Sequence, residues 1–195
     1  MKKFKKEVRS YYERYYRDGD EAHLIDHADS VCDLALKINK DLDEKLIILA
    51  SYLHDMYNAS NRKIHNELAY DYVLKAEDKF LKILNEKALK EVAHAVLEHR
   101  ASFKGEFYSK LSALISSADR GEPNLEEVVI RSMKFNNGNA QDVYEHIKDK
   151  YGSKGYAKYP DVYIEIFKDE LESFQRKADS ITVDEVLEMW NERIN

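Results

Sequence analysis

The sequence predicts an all-α fold on three observations. Six glycines and two prolines in 195 residues are about 4% of the chain against an average near 12%, too few for the turns of a many-stranded sheet. Apolar side chains recur at three- and four-residue steps along most of the chain, the helical period. Apolar residues make up 44% and charged residues 35%, so a core is available and disorder is not expected. The length is that of one domain, with a core at about 20–121 and a helical C-terminal extension at about 122–195.

Residues 21–39 read as an amphipathic helix, with Ile25, Ala28, Val31, Cys32, Ala35 and Ile38 on one face. Residues 44–56 are apolar nearly all round, from Leu46 to Leu53, and a helix of that kind sits at the centre of a domain. Asn58 to Lys63 is polar and reads as a loop. A third helix runs from Ile64 to about Lys75, with Leu68, Tyr72 and Val73 inward. The next spans about 87–100, with Leu89, Val92, Ala93 and Val96 on one face. Phe103-Lys104-Gly105 breaks the pattern, which resumes over 107–120 with Leu111, Leu114, Ile115 and Ala118. Gly121 and Pro123 stop that helix, and Asn124-x-x-Glu127 starts another. Helices are also expected at 139–150, 161–178 and 183–193, the last capped by Thr182-x-x-Glu185. The loop from Tyr151 to Pro160 separates the first two of these.

Thirty-one basic residues against 37 acidic ones give a net charge of −6, which leaves no general footprint for nucleic acid or an anionic membrane. A lone Cys32 excludes an internal disulfide and suits a reducing compartment. The basic start, Met1 to Lys6, is not followed by the apolar segment of a secretory signal. The apolar run from Leu46 to Leu53 is far shorter than a membrane span. These features predict a soluble cytoplasmic protein.

Of seven histidines, six lie in the first 100 residues: His23, His27, His54, His65, His94 and His99. His54-Asp55 closes the most apolar helix, where two such side chains are costly unless paired or coordinating. His27 flanks the inward stripe of its helix, and Asp119 stands one turn after Ile115. Two imidazoles and two carboxylates suit a borderline or hard divalent ion such as Mn²⁺, Fe²⁺, Co²⁺, Zn²⁺ or Mg²⁺.

The order His27, His54-Asp55, Asp119 on successive helices resembles the HD-domain superfamily of metal-dependent phosphohydrolases. His23-Leu24-Ile25-Asp26-His27 resembles its opening segment and Leu49 to Asp55 its apolar run into the doublet; Glu98-His99-Arg100 and Ser117-Ala118-Asp119-Arg120 resemble its later histidine and closing aspartate. Leu24 and Ser30 depart from the aspartate and arginine common in relatives. Asn58 stands where lysine or glutamate is frequent, and an amide cannot shuttle a proton.

The resemblance implies an HD-domain helical bundle whose metal is held by His27, His54, Asp55 and Asp119. His65 and His99 match the extra histidines of two-metal members and are candidate second-metal ligands. It also implies hydrolysis of a phosphate ester, by phosphomonoesterase or phosphodiesterase action, through a metal-activated water. The substrate expected is a small phosphorylated molecule such as a nucleotide. His65 or His99 would offset charge on the phosphoryl group, and His23 or His99 would protonate the leaving oxygen. Arg62, Lys63, Arg100, Arg120, Lys154 and Lys158 are candidate phosphate-binding cations. A nucleotide-binding regulatory module without turnover and a di-iron oxygenase remain alternatives, and homo-oligomerisation is left open.

Overall fold

A computed structural model describes residues 1–17 and 24–194. The described residues are helices joined by turns and short loops, with no strand among them. The all-α expectation is met.

Helix α3 (Glu44–Leu53) has every residue from Ile47 to Leu53 buried, which is why its sequence carries no polar face. The Asp43 side chain starts it by accepting from the Lys45 N–H at 2.8 Å. Around it pack α1 (Lys2–Tyr12), α2 (Ile25–Ile38), α6 (Glu86–Glu98) and α7 (Lys110–Asp119). Helix α5 (His65–Lys75) lies against α6. Two of these helices carry the side-chain caps their sequences imply. Asn85 accepts from Ala88 N at 2.9 Å and Ser109 from Ser112 N at 3.2 Å. Gly121, at φ +72°, follows α7 in the left-handed conformation that glycine adopts without strain.

The C-terminal extension comprises α8 (Leu125–Phe135), α9 (Ala140–Tyr151), α10 (Asp161–Ile166), α11 (Lys168–Ser180) and α12 (Val183–Ile194). Helix α12 packs on α8 and α9, and α10 ties the extension to α7. Both expected caps form. Asn124 accepts from Glu127 N at 3.3 Å, and Thr182 and Glu185 exchange side-chain and backbone bonds at 2.8 and 3.3 Å.

Four details differ from the sequence expectation. The helix expected at 44–56 stops at Leu53, and the doublet opens a turn. The polar segment after it contains a short helix, α4 (Asn58–Asn61). The helix expected over 161–178 is two helices separated at Phe167, whose backbone (φ −117°, ψ 29°) leaves the helical region. The fourth is α1 itself, whose Val8 and Tyr12 are fully buried. Arg9 bonds Asp29 of α2 at 2.7 Å, and Asp29 also accepts from the Tyr52 hydroxyl of α3.

Buried Asp78 makes a second attachment for α1. Its carboxylate accepts from the hydroxyls of Tyr12 (2.7 Å) and Tyr72 (3.0 Å) and from the amides of Phe80 (2.7 Å) and Leu81 (3.0 Å). Asp78→Ala strands four donors, three of them buried, and is expected to cost about 3 kcal/mol. A melting temperature lower by about 6–12 °C checks this; an unchanged value contradicts it.

Candidate metal centre

The ends of four helices deliver most of the candidate ligands to one place. His54 caps the C-terminus of α3, His99 caps that of α6, Asp119 ends α7 and His65 begins α5. Helix ends carry unpaired carbonyls, and the histidines use them. His54 Nδ1 lies 2.7 Å from the Ser51 carbonyl, His99 Nδ1 2.7 Å from that of Val96, and His65 Nδ1 2.9 Å from that of Arg62. A carbonyl only accepts, so each Nδ1 carries its proton and donates. Nε2 of each ring is thereby directed into the cluster, where it can carry a proton towards a carboxylate or, once that proton is lost, offer its lone pair to a metal.

His27 Nε2 lies 3.4 Å from His54 Nε2, 3.0 Å from Asp119 Oδ1 and 3.8 Å from Asp55 Oδ2. His54 Nε2 lies 3.5 Å from Asp55 Oδ2 and 3.6 Å from Asp119 Oδ1. A cation bound at about 2.0–2.2 Å requires neighbouring ligand atoms roughly 3–3.5 Å apart. The donor set fits a divalent metal in chemistry and in spacing.

The other carboxylate oxygen of Asp55 faces away from this group. Asp55 Oδ1 lies 3.0 Å from His65 Nε2 and 3.5 Å from His99 Nε2, and those two nitrogens are 3.2 Å apart. Asp55 thus belongs to two ligand groups, one with His27 and His54 and one with His65 and His99. The first holds three of the four ligands expected from the sequence, with the fourth, Asp119, 3.0 Å from His27 Nε2; the second brings together the two later histidines. His23 lies outside the described residues.

Mutual charge holds the cluster together. Burial alone would suppress ionisation of Asp55, but the His54 charge and hydrogen bonds from His65 and His99 hold its carboxyl well below the usual range. Asp119 is lowered in the same way, against burial, by His27 and His54. Burial would push His54 down; Asp55 and Asp119 outweigh it and raise its pKa to about 9. His99 is pushed down, chiefly by burial.

Two cavities meet at His27 and Asp119. One, of about 880 Å³, runs between α2 and α8 and is lined by Val31, Leu34, Val128, Ile130 and Trp190 among others. The other is smaller, about 210 Å³, and includes Arg62, Arg120, Arg131 and Lys150 in its wall. Of the expected cations, Arg62 and Arg120 reach this cavity. Arg120 is largely committed, with Nε donating to the Lys158 carbonyl at 2.7 Å and Nη1 to Ser116 Oγ at 2.7 Å and to the Ser116 carbonyl. Arg100 donates to the Lys63 carbonyl at 2.9 Å, and neither residue lines either cavity. The Lys154 and Lys158 side chains are exposed. No local signal marks Arg131 and Lys150, each one charged residue among several on its helix; only the packing of α8 and α9 brings them to the cavity.

Two other histidines serve different ends. His94 stacks on Tyr108 at 3.9 Å and bonds Glu98 at 3.0 Å, which is a packing role. His146 lies in the wall of the small cavity.

The model of the HD domain family matches residues 21–133. The chain belongs to the HD domain family. The matched segment runs from α2 through most of α8, so it takes in Arg131 but not Lys150. Searches of curated proteins and of solved structures find no match. HD domain proteins bind divalent metals, and the family is generally one of metal-dependent phosphohydrolases. No described helix is long and apolar enough to cross a membrane.

Because His54 stays protonated up to about 9, metal uptake at pH 7.5 must displace that proton. Calorimetric titration with Mn²⁺ in buffers of different ionisation heat should show release of about one proton, with affinity rising as pH increases towards 9. Heats independent of the buffer contradict this.

Proposed function

We propose that the protein hydrolyses a phosphate ester of a small molecule such as a nucleotide, and that its two ligand groups, which share Asp55, would hold the divalent cations the reaction needs. The carrying observation is a ligand cluster that opens on one side to a cationic pocket and on the other to an apolar-lined groove. When bound, the cations supply Lewis acidity and a water of lowered pKa.

The chain's own residues divide the remaining work. Asp55 turns one oxygen to each ligand group and so fixes the spacing between them. His65 and His99 have Nδ1 committed to carbonyls and Nε2 directed at Asp55. This supports the second-metal role that the resemblance implied for both, rather than leaving-group protonation by His99. The small pocket abuts His27 and Asp119. The larger groove falls within the range of volumes that hold drug-sized molecules, and Trp190 offers an aromatic face to a base.

A cation-lined pocket beside the ligands favours phosphate chemistry over the di-iron oxygenase alternative. One observation favours a module that binds without turnover: Asn58, buried near the doublet, has no proton to exchange.

The test is a screen of phosphatase and phosphodiesterase activity with Mn²⁺ on nucleotide and aryl phosphate substrates. Wild type is expected to release phosphate, and Asp55→Ala to lose more than about a hundredfold. Activity that survives in Asp55→Ala contradicts the reading, and nucleotide-induced stabilisation without phosphate release supports the module instead. Metal analysis should give about two equivalents in wild type and about one in His65→Ala. One equivalent in both contradicts the second ligand group.

A further inference from the structure

We propose that the C-terminal extension builds an anion subsite: Arg131 and Lys150, with Arg62 on the facing wall, hold a second phosphate group of the substrate beside the one at the metal centre. This rests on the phosphohydrolase reading and narrows its substrate to compounds with at least two linked phosphates, such as nucleoside triphosphates.

Position comes first. The small cavity has His27 and Asp119 in its wall, so whatever fills it abuts the metal ligands. Its volume of about 210 Å³ is below the range of pockets that enclose a whole drug-sized ligand. It fits a compact group on a molecule whose larger part lies in the groove on the other side of His27 and Asp119.

Charge comes second. The wall carries four guanidinium or ammonium groups, and the only carboxylate lining it among the described residues is Asp119, which the metal centre uses. Arg120 is spent on Ser116 and the Lys158 carbonyl. Arg131 and Lys150 form no ion pair with a described carboxylate, and Lys150 sits 4.8 Å from the Tyr151 ring centroid. Arg62 packs its guanidinium 4.3 Å from the Phe135 ring centroid. In the larger groove, whose wall Arg131 also joins, Lys37 pairs with Glu122 and Arg193 with Glu127. Arg131 and Lys150, half-buried and without an ion pair to a described carboxylate, face one small space, which suits an anion.

Neighbouring groups register this field. His146, in the same wall, is pushed down to about 4 by burial and then by Lys150, Arg131 and Arg62. It is neutral at pH 7 and adds a hydrogen-bonding nitrogen without charge. Burial would raise the Tyr151 hydroxyl, yet Lys150 and Arg131 hold it below its ordinary value. The loop after α9 closes the pocket with Ala157 and Tyr159. Gly155 lets that loop turn back on α9, since a Cβ there would run into the Lys150 carbonyl.

The experiment uses the full chain loaded with Mn²⁺ and compares wild type with Arg131→Gln, Lys150→Gln, the double variant and Lys150→Arg. Inorganic tripolyphosphate binding is read by calorimetry. Turnover is read on a nucleoside triphosphate and on p-nitrophenyl phosphate, which has a single phosphate. Each glutamine variant should weaken tripolyphosphate binding about tenfold to a hundredfold and lower kcat/KM for the triphosphate similarly. Turnover of p-nitrophenyl phosphate should change less than about threefold, and Lys150→Arg should bind tripolyphosphate nearly as wild type does. Equal losses on both substrates, or unchanged tripolyphosphate binding, overturn the subsite. Charge-dependent tripolyphosphate binding with no turnover of any substrate leaves the subsite standing and removes the hydrolase reading.

Discussion

The structure depends on keeping two carboxylates and four imidazoles in one largely buried space. Isolated charges there would cost far more than the fold can supply, so each group must be compensated by the others or by a cation. The solution is local. Three of the four rings spend Nδ1 on a carbonyl of their own helix end or turn, which removes a rotational choice and turns Nε2 inward.

This arrangement also explains the division between core and extension. Helices α2 to α7 supply the anionic and imidazole ligands, which attract cations. Helices α8 and α9 supply Arg131 and Lys150, and the loop beyond α9 folds back on them. Opposite fields therefore meet at His27 and Asp119, which suits a substrate anionic at one end and metal-bound at the reacting group. The net charge of −6 is no guide to this, because a field near a pocket is set by its lining.

Much of the fold was legible because helical periodicity and caps are local signals. Asn124, Thr182 and Glu185 form the bonds their spacing implied. Helix α1 was not recognised, although Phe4, Val8, Tyr11, Tyr12 and Tyr15 recur at helical steps. Its lysines and tyrosines disguise a buried face, and what buries it, Asp78 and Asp29, is remote in sequence. The break at Phe167 is likewise tertiary. The ring packs 4.9 Å from that of Tyr163, and no proline or glycine marks it. At the centre, residue types and order suggested which side chains belong together. That Asp55 turns its two oxygens to different histidine pairs was not readable, because it depends on helix-end geometry.

Anomalous diffraction from crystals grown with Mn²⁺ tests most directly whether Asp55 serves both ligand groups. Two peaks about 3.5–4 Å apart, one beside His27, His54 and Asp119 and one beside His65 and His99, with Asp55 between them, are the expected result. A single peak, or ions bound away from Asp55, would contradict it.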